Sequence, residues 1–381
     1  MNNAIKYVGV DDKTLDLFES QYIVPNGVSY NSYVILDDKI VIMDTVDKRA
    51  KEAWLQNVKD VLNDRQPDYL VVSHMEPDHC ANIKAICELY PNMKIIGNAK
   101  TFMMMKQFFR DFSFEDRQVV VKENDTIELG NHTLKFMMAP MVHWPEVMVT
   151  YEENEKVLFS ADAFGKFGTL DTEEDWTCEA RRYYFNIVGK YGLQVQALLK
   201  KVKNLDIQTI CPLHGPILQE NLAYYIDKYN IWSSYQYEDQ GVFIAYASIH
   251  GNSKYAAQEL AKLLKDKGMK VAITDLTRED MAEAVEDAFR YSHMVLVASS
   301  YDGGVFTPMA DFLDHLKSKN YQNRTVAFIE NGSWAPSALK TMKAIIEPLK
   351  NITIVDQSIT IRSTLSDENR EELKMLADSL I

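Results

Sequence analysis

Residues 73–79 of this 381-residue chain read Ser-His-Met-Glu-Pro-Asp-His and directly follow the apolar run 69–72. Four of these side chains can bind a metal ion, namely His74, Glu76, Asp78 and His79. Side chains of an extended segment alternate in direction, and a turn at Pro77 can redirect the ones that follow. We therefore predict that the first two of the four serve one metal ion and that the last two serve an adjacent second ion.

Three further candidates each stand at the end of an apolar segment: His143, Asp162 and His214. Together the candidates can give two first-row metal ions three or four ligands each if one carboxylate bridges the ions. A single His or Asp at a strand end is most often a core or turn residue, so the prediction rests on the whole arrangement. His132, His293 and His315 lack that context, and we expect them to be structural.

The order His-x-Glu-x-Asp-His, followed by His, Asp and His, resembles the metal site of the flavodiiron proteins. These proteins are cytoplasmic oxygen and nitric oxide reductases whose N-terminal domain has the metallo-β-lactamase fold. Zinc hydrolases of the same fold carry His-x-His-x-Asp-His, so Glu76 stands where they have a second His. A carboxylate makes the pocket harder and more anionic, which suits iron that changes its oxidation state better than it suits zinc. The exchange therefore predicts iron and redox chemistry.

The resemblance also implies a role for each candidate ligand. His74, Glu76 and His143 would bind one iron ion, Asp78, His79 and His214 would bind the other, and Asp162 would bridge the two. The di-iron ligands themselves would then be the catalytic groups.

A second pattern begins near residue 241, where apolar strands start to alternate with helix-length segments. The predicted strands are 242–247, 270–273, 294–298, 325–329 and 352–355. Strands and helices that alternate in this way form a doubly wound parallel sheet, here of the flavodoxin type. Such sheets bind their ligands at the carboxyl ends of the strands.

Three loops at these strand ends have the composition of a flavin site. They follow the first, third and fourth strands and contain the candidates Ser248, His250, Gly251, Asn252, Ser253, Ser300, Tyr301, Asp302, Gly303, Gly304, Asn331, Gly332, Ser333 and Trp334. The first loop opens a helix whose backbone N–H groups can hold a monophosphate. It resembles the FMN phosphate loop of flavodoxins, with His250 where Thr or Tyr is usual. It lacks Gly-x-Gly-x-x-Gly, which argues against a dinucleotide and leaves FMN as the predicted ligand.

We predict two domains in an α/β chain. Residues 1–240 would form a metallo-β-lactamase-like di-iron domain, an αββα sandwich whose metal site lies along one sheet edge, and residues 241–381 a flavodoxin-like FMN-binding domain. Within the first domain the pattern predicts a helix over 49–63 and a strand over 133–138. The segment 219–240 contains no Pro or Gly, and we predict that it is a helix that joins the domains.

Charge and cysteine content restrict the partners. The net charge is −14 and there is no basic stretch, which disfavours nucleic acid and anionic membranes. No apolar run has the length of a membrane span and the first residues do not resemble a signal peptide, so we expect a cytoplasmic protein. The four cysteines form no Cys-x-x-Cys pair, so we expect no rubredoxin centre in this chain and an external electron donor.

The resemblance implies an enzyme that reduces O2 to water, NO to N2O, or both, with electrons relayed through FMN. It also implies a rubredoxin-like donor and a head-to-tail homodimer or a dimer of such dimers. The ligands are the same for both gases, so the sequence does not rank O2 against NO. Two other hypotheses remain open: a metallo-β-lactamase-fold zinc hydrolase with a regulatory flavin domain, and an electron-transfer or gas-sensing module without turnover.

Overall fold

The computed structural model describes residues 4–381, which form two compact units. The first unit comprises the chain up to Tyr184 together with Leu193–Asn230, and the second comprises Phe185–Gly192 together with Ile231–Ile381. The division falls ahead of the expected boundary between residues 240 and 241, and that boundary stays a prediction. No helix among residues 4–381 is both long and apolar enough to cross a membrane.

The N-terminal part of the chain consists of short strands interrupted by helices. The strands, in chain order, are β1 (Ile5–Tyr7), β2 (Val10–Asp12), β3 (Leu17–Phe18), β4 (Tyr22–Ile23), β5 (Val28–Tyr30), β6 (Tyr33–Ile35), β7 (Val41–Met43), β8 (Tyr69–Val71), β9 (Lys94–Gly97), β10 (Gln118–Val120), β11 (Thr126–Glu128), β12 (Thr133–Met138), β13 (Met148–Glu152), β14 (Val157–Phe159) and β15 (Thr209–Cys211). The helices are α1 (Lys51–Leu62), α2 (Pro77–Cys80), α3 (Ile83–Leu89), α4 (Ala99–Phe108), α5 (Trp176–Tyr183), α6 (Gly192–Val202) and α7 (Leu222–Ser233).

Two sheets of the first unit enclose one core. Their strand orders are β1-β6-β7-β8-β9-β10 and β11-β12-β13-β14-β15. Val71 and Ile96 of the first sheet and Phe136 and Phe159 of the second belong to the same buried cluster. Apolar faces of two sheets that pack in this way form the centre of a sandwich. The metallo-β-lactamase-like fold is therefore confirmed, and β12 has the bounds that the sequence predicts.

The helix predicted over 219–240 is too long. α7 ends at Ser233, and beyond it Tyr235 adopts a φ of 57°, which a helix does not allow. Arg324 donates to the backbone carbonyls of Tyr235 at 2.8 Å and of Gln236 at 3.2 Å. Because a distant arginine satisfies these two carbonyls, tertiary contacts end the helix before the sequence pattern does.

The second unit is a doubly wound sheet. Its strands are β16 (Asp239–Ala247), β17 (Lys270–Asp275), β18 (Tyr291–Tyr301), β19 (Gly304–Val305), β20 (Thr325–Asn331) and β21 (Thr353–Ile361). Its helices are α8 (Asn252–Asp266), α9 (Met281–Arg290), α10 (Thr307–Ser318), α11 (Ala338–Ile346) and α12 (Asp367–Ser379). The main strands are parallel in the order β17-β16-β18-β20-β21, and β19 pairs antiparallel with β18. This is the flavodoxin-like strand order, and the predicted fold class is confirmed.

Candidate metal centre and flavin cavity

The seven predicted metal ligands converge from separate segments of the first unit. His74 and Glu76 follow β8, Asp78 and His79 lie in α2, His143 lies between β12 and β13, Asp162 follows β14, and His214 follows β15. All except Glu76 are buried. Their ligand atoms form two groups, one of His74, Glu76, His143 and Asp162 and one of Asp78, His79 and His214, as the alternation and the turn at Pro77 predict.

The first group is held together by two imidazoles and two carboxylates. His74 Nε2 lies 3.1 Å from Glu76 Oε2 and 3.3 Å from Asp162 Oδ2. His143 Nε2 lies 3.0 Å from each of the same two oxygens. The ligand atoms of both rings and both carboxylates therefore gather around one common centre.

The second group shares Asp162 with the first. His79 Nε2 and His214 Nε2 lie 3.0 Å apart, and they lie 3.3 Å and 3.2 Å from Asp78 Oδ2. Asp162 Oδ1 lies 3.5 Å from His79 Nε2 and 3.9 Å from His214 Nε2. One oxygen of Asp162 thus faces the first group and the other faces the second, which is the arrangement of a bridging carboxylate.

The donor atoms lack the partners that a protein interior normally supplies. Both oxygens of Asp78 and of Asp162, and Nε2 of His143, are buried without a hydrogen bond of acceptable geometry to the described residues. Buried polar atoms are usually paired, so such a concentration points to a missing partner. Two donors that each lie about 2.1 Å from one ion are about 3 Å apart. The donor set therefore fits two metal ions.

Electrostatics favour ionised carboxylates in both groups. Burial would raise the pKa of Asp78, but His79 and His214 outweigh burial and hold it well below its usual range. Burial would lower the pKa of His143, but Asp162 and Glu76 outweigh burial and raise it to about 9. The carboxylates are consequently anionic at neutral pH, and the site attracts cations.

Sequence reasoning missed the groups that contact the Nδ1 atoms of two of these imidazoles. Glu146 Oε1 lies 3.0 Å from His74 Nδ1, and the backbone carbonyl of Ser29 lies 2.7 Å from His214 Nδ1. Glu146 stands three residues after His143 in the sequence, and this proximity to a candidate ligand was the only available signal. Ser29 is remote in sequence from every candidate ligand, so the sequence contains no signal that points to it.

The remaining histidines lie outside the two groups, as predicted. His132 Nδ1 lies 2.7 Å from Asp37 Oδ2, and its Nε2 lies 3.2 Å from Glu155 Oε1. Both ring nitrogens are therefore engaged, and the residue ties together the turns that precede β7, β12 and β14. His293 contacts the hydroxyl of Ser292 at 2.8 Å.

The loops predicted to bind a flavin surround one cavity of about 640 Å³ in the second unit. It is lined by the predicted residues Ser248, His250, Asn252, Ser253, Ser300, Tyr301, Asp302, Gly303, Asn331, Gly332, Ser333 and Trp334. The predicted residues Gly251 and Gly304 are not among those that line it, although they lie in the same loops. Ser363 also lines the cavity and was missed. It follows β21, so the rule that ligands bind at carboxyl ends of strands could have found it.

Two positions in these loops require glycine for different reasons. Gly251 stands directly before α8 with a φ of 92°, a backbone conformation that favours glycine. A Cβ at Gly332 would lie 2.9 Å from Pro336 Cα and 3.0 Å from Ser300 Oγ. Gly332 therefore allows the loop after β20 to pack closely against the end of β18. The cavity walls are held by this contact and by the bond from the Ser337 backbone N–H to Ser300 Oγ at 2.8 Å.

Comparison with known proteins agrees with both halves of the chain. Residues 28–215 match the family described as ODP family β-lactamase, and residues 243–350 match a flavodoxin domain. The anaerobic nitric oxide reductase flavorubredoxin of Vibrio vulnificus is 29% identical over 360 residues, which cover 90% of this chain and 72% of that protein.

Two solved structures share the fold over the whole chain. Rubredoxin oxygen:oxidoreductase of Desulfovibrio gigas superposes with a TM-score of 0.93 at 24% identity and covers 100% of this chain and 96% of its own. The flavodiiron protein of Giardia intestinalis superposes with a TM-score of 0.90 at 21% identity and covers 100% of this chain and 95% of its own. The chain thus combines an ODP-family β-lactamase domain with a flavodoxin domain, in the order and with the complete fold of the solved flavodiiron proteins.

Proposed function

We propose that this chain is a di-iron flavoprotein that reduces O2 to water, NO to N2O, or both. The observation that carries the proposal is the position of Asp162, whose two carboxylate oxygens face two separate groups of donors. Two metal ions that share one carboxylate suit a reaction in which both ions act on one small substrate. A flavin cavity in the same chain adds the second redox group.

Iron is the metal that the donor set favours. Glu76 gives the first group a second carboxylate beside Asp162, and carboxylate oxygen is a harder donor than imidazole nitrogen. Hard anionic donors stabilise the ferric state, whereas zinc sites of comparable folds use more imidazole. The proposed ligands are His74, Glu76, His143 and Asp162 for one ion and Asp78, His79, His214 and Asp162 for the other.

FMN is the proposed ligand of the cavity in the second unit. The segment 248–253 leads into the first turn of α8, so its backbone N–H groups and the hydroxyls of Ser248 and Ser253 can hold the phosphate. Tyr301 and Trp334 line the same cavity and offer aromatic surface to the isoalloxazine ring. The hydroxyl and amide groups of the other lining residues can bind its polar edge.

When bound, the iron ions and FMN would supply the electrons that reduce the gas. The chain itself contributes orientation and exclusion of water. Ser29 and Glu146 fix the rings of His214 and His74, so that each ring presents Nε2 to the centre. His74, Asp162 and His214 are at most 1% exposed, so the ligands are shielded from bulk solvent.

The donor and the assembly are finer parts of the proposal. One relative is named as a nitric oxide reductase, and one structural neighbour is named as a rubredoxin oxygen:oxidoreductase. We accordingly propose a rubredoxin-like external donor, a head-to-tail homodimer or a dimer of such dimers, and a cytoplasmic location. The acidic surface, with a net charge of −14, is compatible with a protein partner and disfavours nucleic acid.

The decisive experiment measures metal, flavin and turnover on one preparation. Protein purified from iron-replete cells should carry about two iron ions and one FMN per chain and should consume O2 or NO when a rubredoxin-type donor is kept reduced. Anaerobic steady-state kinetics with each gas would rank the two substrates. A preparation that carries zinc and shows no flavin-dependent gas consumption would support the hydrolase instead.

A further inference from the structure

Glu146 is a buried carboxylate that belongs to neither group of proposed ligands. It lies in the segment between β12 and β13 and is 1% exposed. Its Oε1 accepts a hydrogen bond from the Met75 backbone N–H at 2.8 Å and lies 3.0 Å from His74 Nδ1. Its Oε2 is buried and has no hydrogen-bond partner within residues 4–381. An ionised group in this position needs a reason, because burying a carboxylate is costly.

The contact with His74 fixes the tautomer of the ring. Glu146 Oε1 already accepts from the Met75 backbone N–H, so this oxygen turns lone pairs and not a proton towards His74 Nδ1. An ionised Glu146 only accepts hydrogen bonds, so His74 Nδ1 must carry a proton and donate it. His74 Nε2, which lies 3.1 Å from Glu76 Oε2 and 3.3 Å from Asp162 Oδ2, then has a lone pair available for a metal ion in the first group.

In the second group, the imidazole of His214 contacts a backbone carbonyl instead of a carboxylate. His214 Nδ1 donates to the backbone carbonyl of Ser29 at 2.7 Å, and the Gly215 backbone N–H donates to the Ser29 hydroxyl at the same distance. A carbonyl is neutral, whereas the side chain of a glutamate is an anion at neutral pH. The two groups therefore have the same kind of ligand imidazole but differ in the charge of the group behind it.

We propose that Glu146 is a positioning residue that makes His74 a more strongly donating ligand than His214 and so favours the ferric state and tight metal retention in the first group. This inference depends on the proposed function only for the identity of the metal. A carboxylate hydrogen-bonded to the far nitrogen of a ligand imidazole raises the basicity of the ligand, and loss of such a partner typically costs about 10–100-fold in metal affinity. The backbone carbonyl behind His214 cannot supply this effect to the same extent.

Glu146→Gln tests the charge and keeps the shape. The amide oxygen of Gln can still accept from His74 Nδ1 and from the Met75 backbone N–H, so only the negative charge is lost. We expect the variant to bind metal at both groups, to lose one metal ion per chain to a chelator about 10–100-fold faster than the wild type, and to have a higher midpoint potential of the iron centre in a redox titration followed by electron paramagnetic resonance.

Glu152→Gln is the matched control. Glu152 is also a fully buried glutamate of the first unit, and it accepts from the backbone N–H groups of Asn154 and Glu155. It lies outside both donor groups. This variant should keep the wild-type potential and the wild-type rate of metal loss. If Glu146→Gln equals Glu152→Gln in both measurements, the charge of Glu146 has no role and the proposal is wrong.

A measurement on the unmodified protein covers the case in which Glu146→Gln does not fold. Nitrogen-15 spectra of labelled histidine in the zinc-loaded wild-type chain should show His74 protonated at Nδ1, and an unprotonated Nδ1 would refute the proposal. Zinc loading also separates this inference from the function. A wild type that binds only zinc contradicts the proposed redox function, yet the relative rates of zinc loss from the two variants still decide whether Glu146 strengthens the first group.

Discussion

The Nε2 atoms of His79 and His214 lie 3.0 Å apart in the interior of the first unit. The Nδ1 atom of His214 donates to Ser29, so its Nε2 carries a lone pair that points at the other ring. Two imidazole nitrogens at this distance need a proton or a metal ion between them. With Asp78 Oδ2 at 3.3 Å and 3.2 Å from the same two atoms, a divalent ion satisfies all three groups at once.

Removal of the metal should therefore destabilise the protein. An ion that binds only the folded state stabilises it by about 2.7 kcal/mol when its free concentration is 100 times its Kd. We expect calorimetry to show a lower Tm after chelation and recovery after Fe²⁺ is added back. In His214→Ala the difference between loaded and stripped protein should be smaller. Equal Tm values for the loaded and stripped wild type would mean that these residues do not bind a metal ion.

Glu76→His should change the metal. The substitution converts the first group toward the imidazole-rich set that suits zinc, so zinc occupancy should rise, iron occupancy should fall, and gas reduction should be abolished. Elemental analysis and O2 or NO consumption measure these changes. Glu52→His, on the exposed side of α1, is the control and should leave both unchanged. Full activity in Glu76→His would disprove the role assigned to Glu76.

Trp334→Ala should weaken FMN binding without unfolding the second unit. The indole lines the flavin cavity yet is 90% exposed, so little of the core depends on it. Loss of an aromatic contact costs about 1 kcal/mol or more, which corresponds to roughly a fivefold increase in Kd. Quenching of FMN fluorescence on titration with the flavin-free protein gives the affinity. Tyr237→Ala removes an exposed aromatic residue that does not line the cavity, and it should leave the Kd unchanged.

His132 should stabilise the fold in a pH-dependent manner. Burial lowers its pKa, but the hydrogen bonds with Asp37 and Glu155 outweigh burial and raise it. Burial raises the pKa of Asp37, but the hydrogen bond with His132 contributes to lowering it to about 2. The raised His pKa adds stability that is complete below about pH 6.5 and is lost as the pH rises through the folded value. The lowered Asp pKa adds stability that is present above about pH 3.9 and is lost as the pH falls toward the folded value.

We accordingly expect His132→Asn to cost about 1–3 kcal/mol of unfolding free energy between about pH 4 and pH 6, and less in alkaline solution. Denaturant unfolding over this range of pH measures the difference. His315→Asn is the control, because His315 Nε2 lies 3.8 Å from an exposed Asp311 carboxylate and should contribute little at any pH. A penalty for His132→Asn that does not vary with pH would contradict the assigned charge state.

The proposed head-to-tail homodimer can be tested by mixing two inactive variants. Asp162→Ala removes the proposed bridge, and Gly251→Asp places an anion in the loop proposed to hold the phosphate. If the iron site of one subunit works with the flavin of its partner, mixed dimers contain one intact pair and should partly regain gas consumption. Subunit exchange must be verified by mass spectrometry of the native complex. Exchange without recovery would show that each chain works alone.

Much of this site is encoded in short stretches of sequence. The order of residues 73–79 assigned two side chains to each donor group, because alternation along a strand and the helical turn at Pro77 are local properties of the backbone. The alternation of strands and helices beyond residue 241 likewise predicted a doubly wound parallel sheet and the loops around the cavity, since such a sheet collects its ligand-binding loops at one edge.

Tertiary structure alone decided the contacts between distant segments. Packing that no local pattern contains brings the backbone carbonyl of Ser29 to His214 Nδ1. It also brings the side chain of Arg324 to the backbone carbonyls of Tyr235 and Gln236. Residue type and spacing could propose Asp162 as a bridge, but only the packed sandwich sets its two oxygens against different donor groups. The physical reason is that local spacing fixes the direction of a side chain relative to its own strand, whereas the distance between two strand ends depends on how the sheets pack.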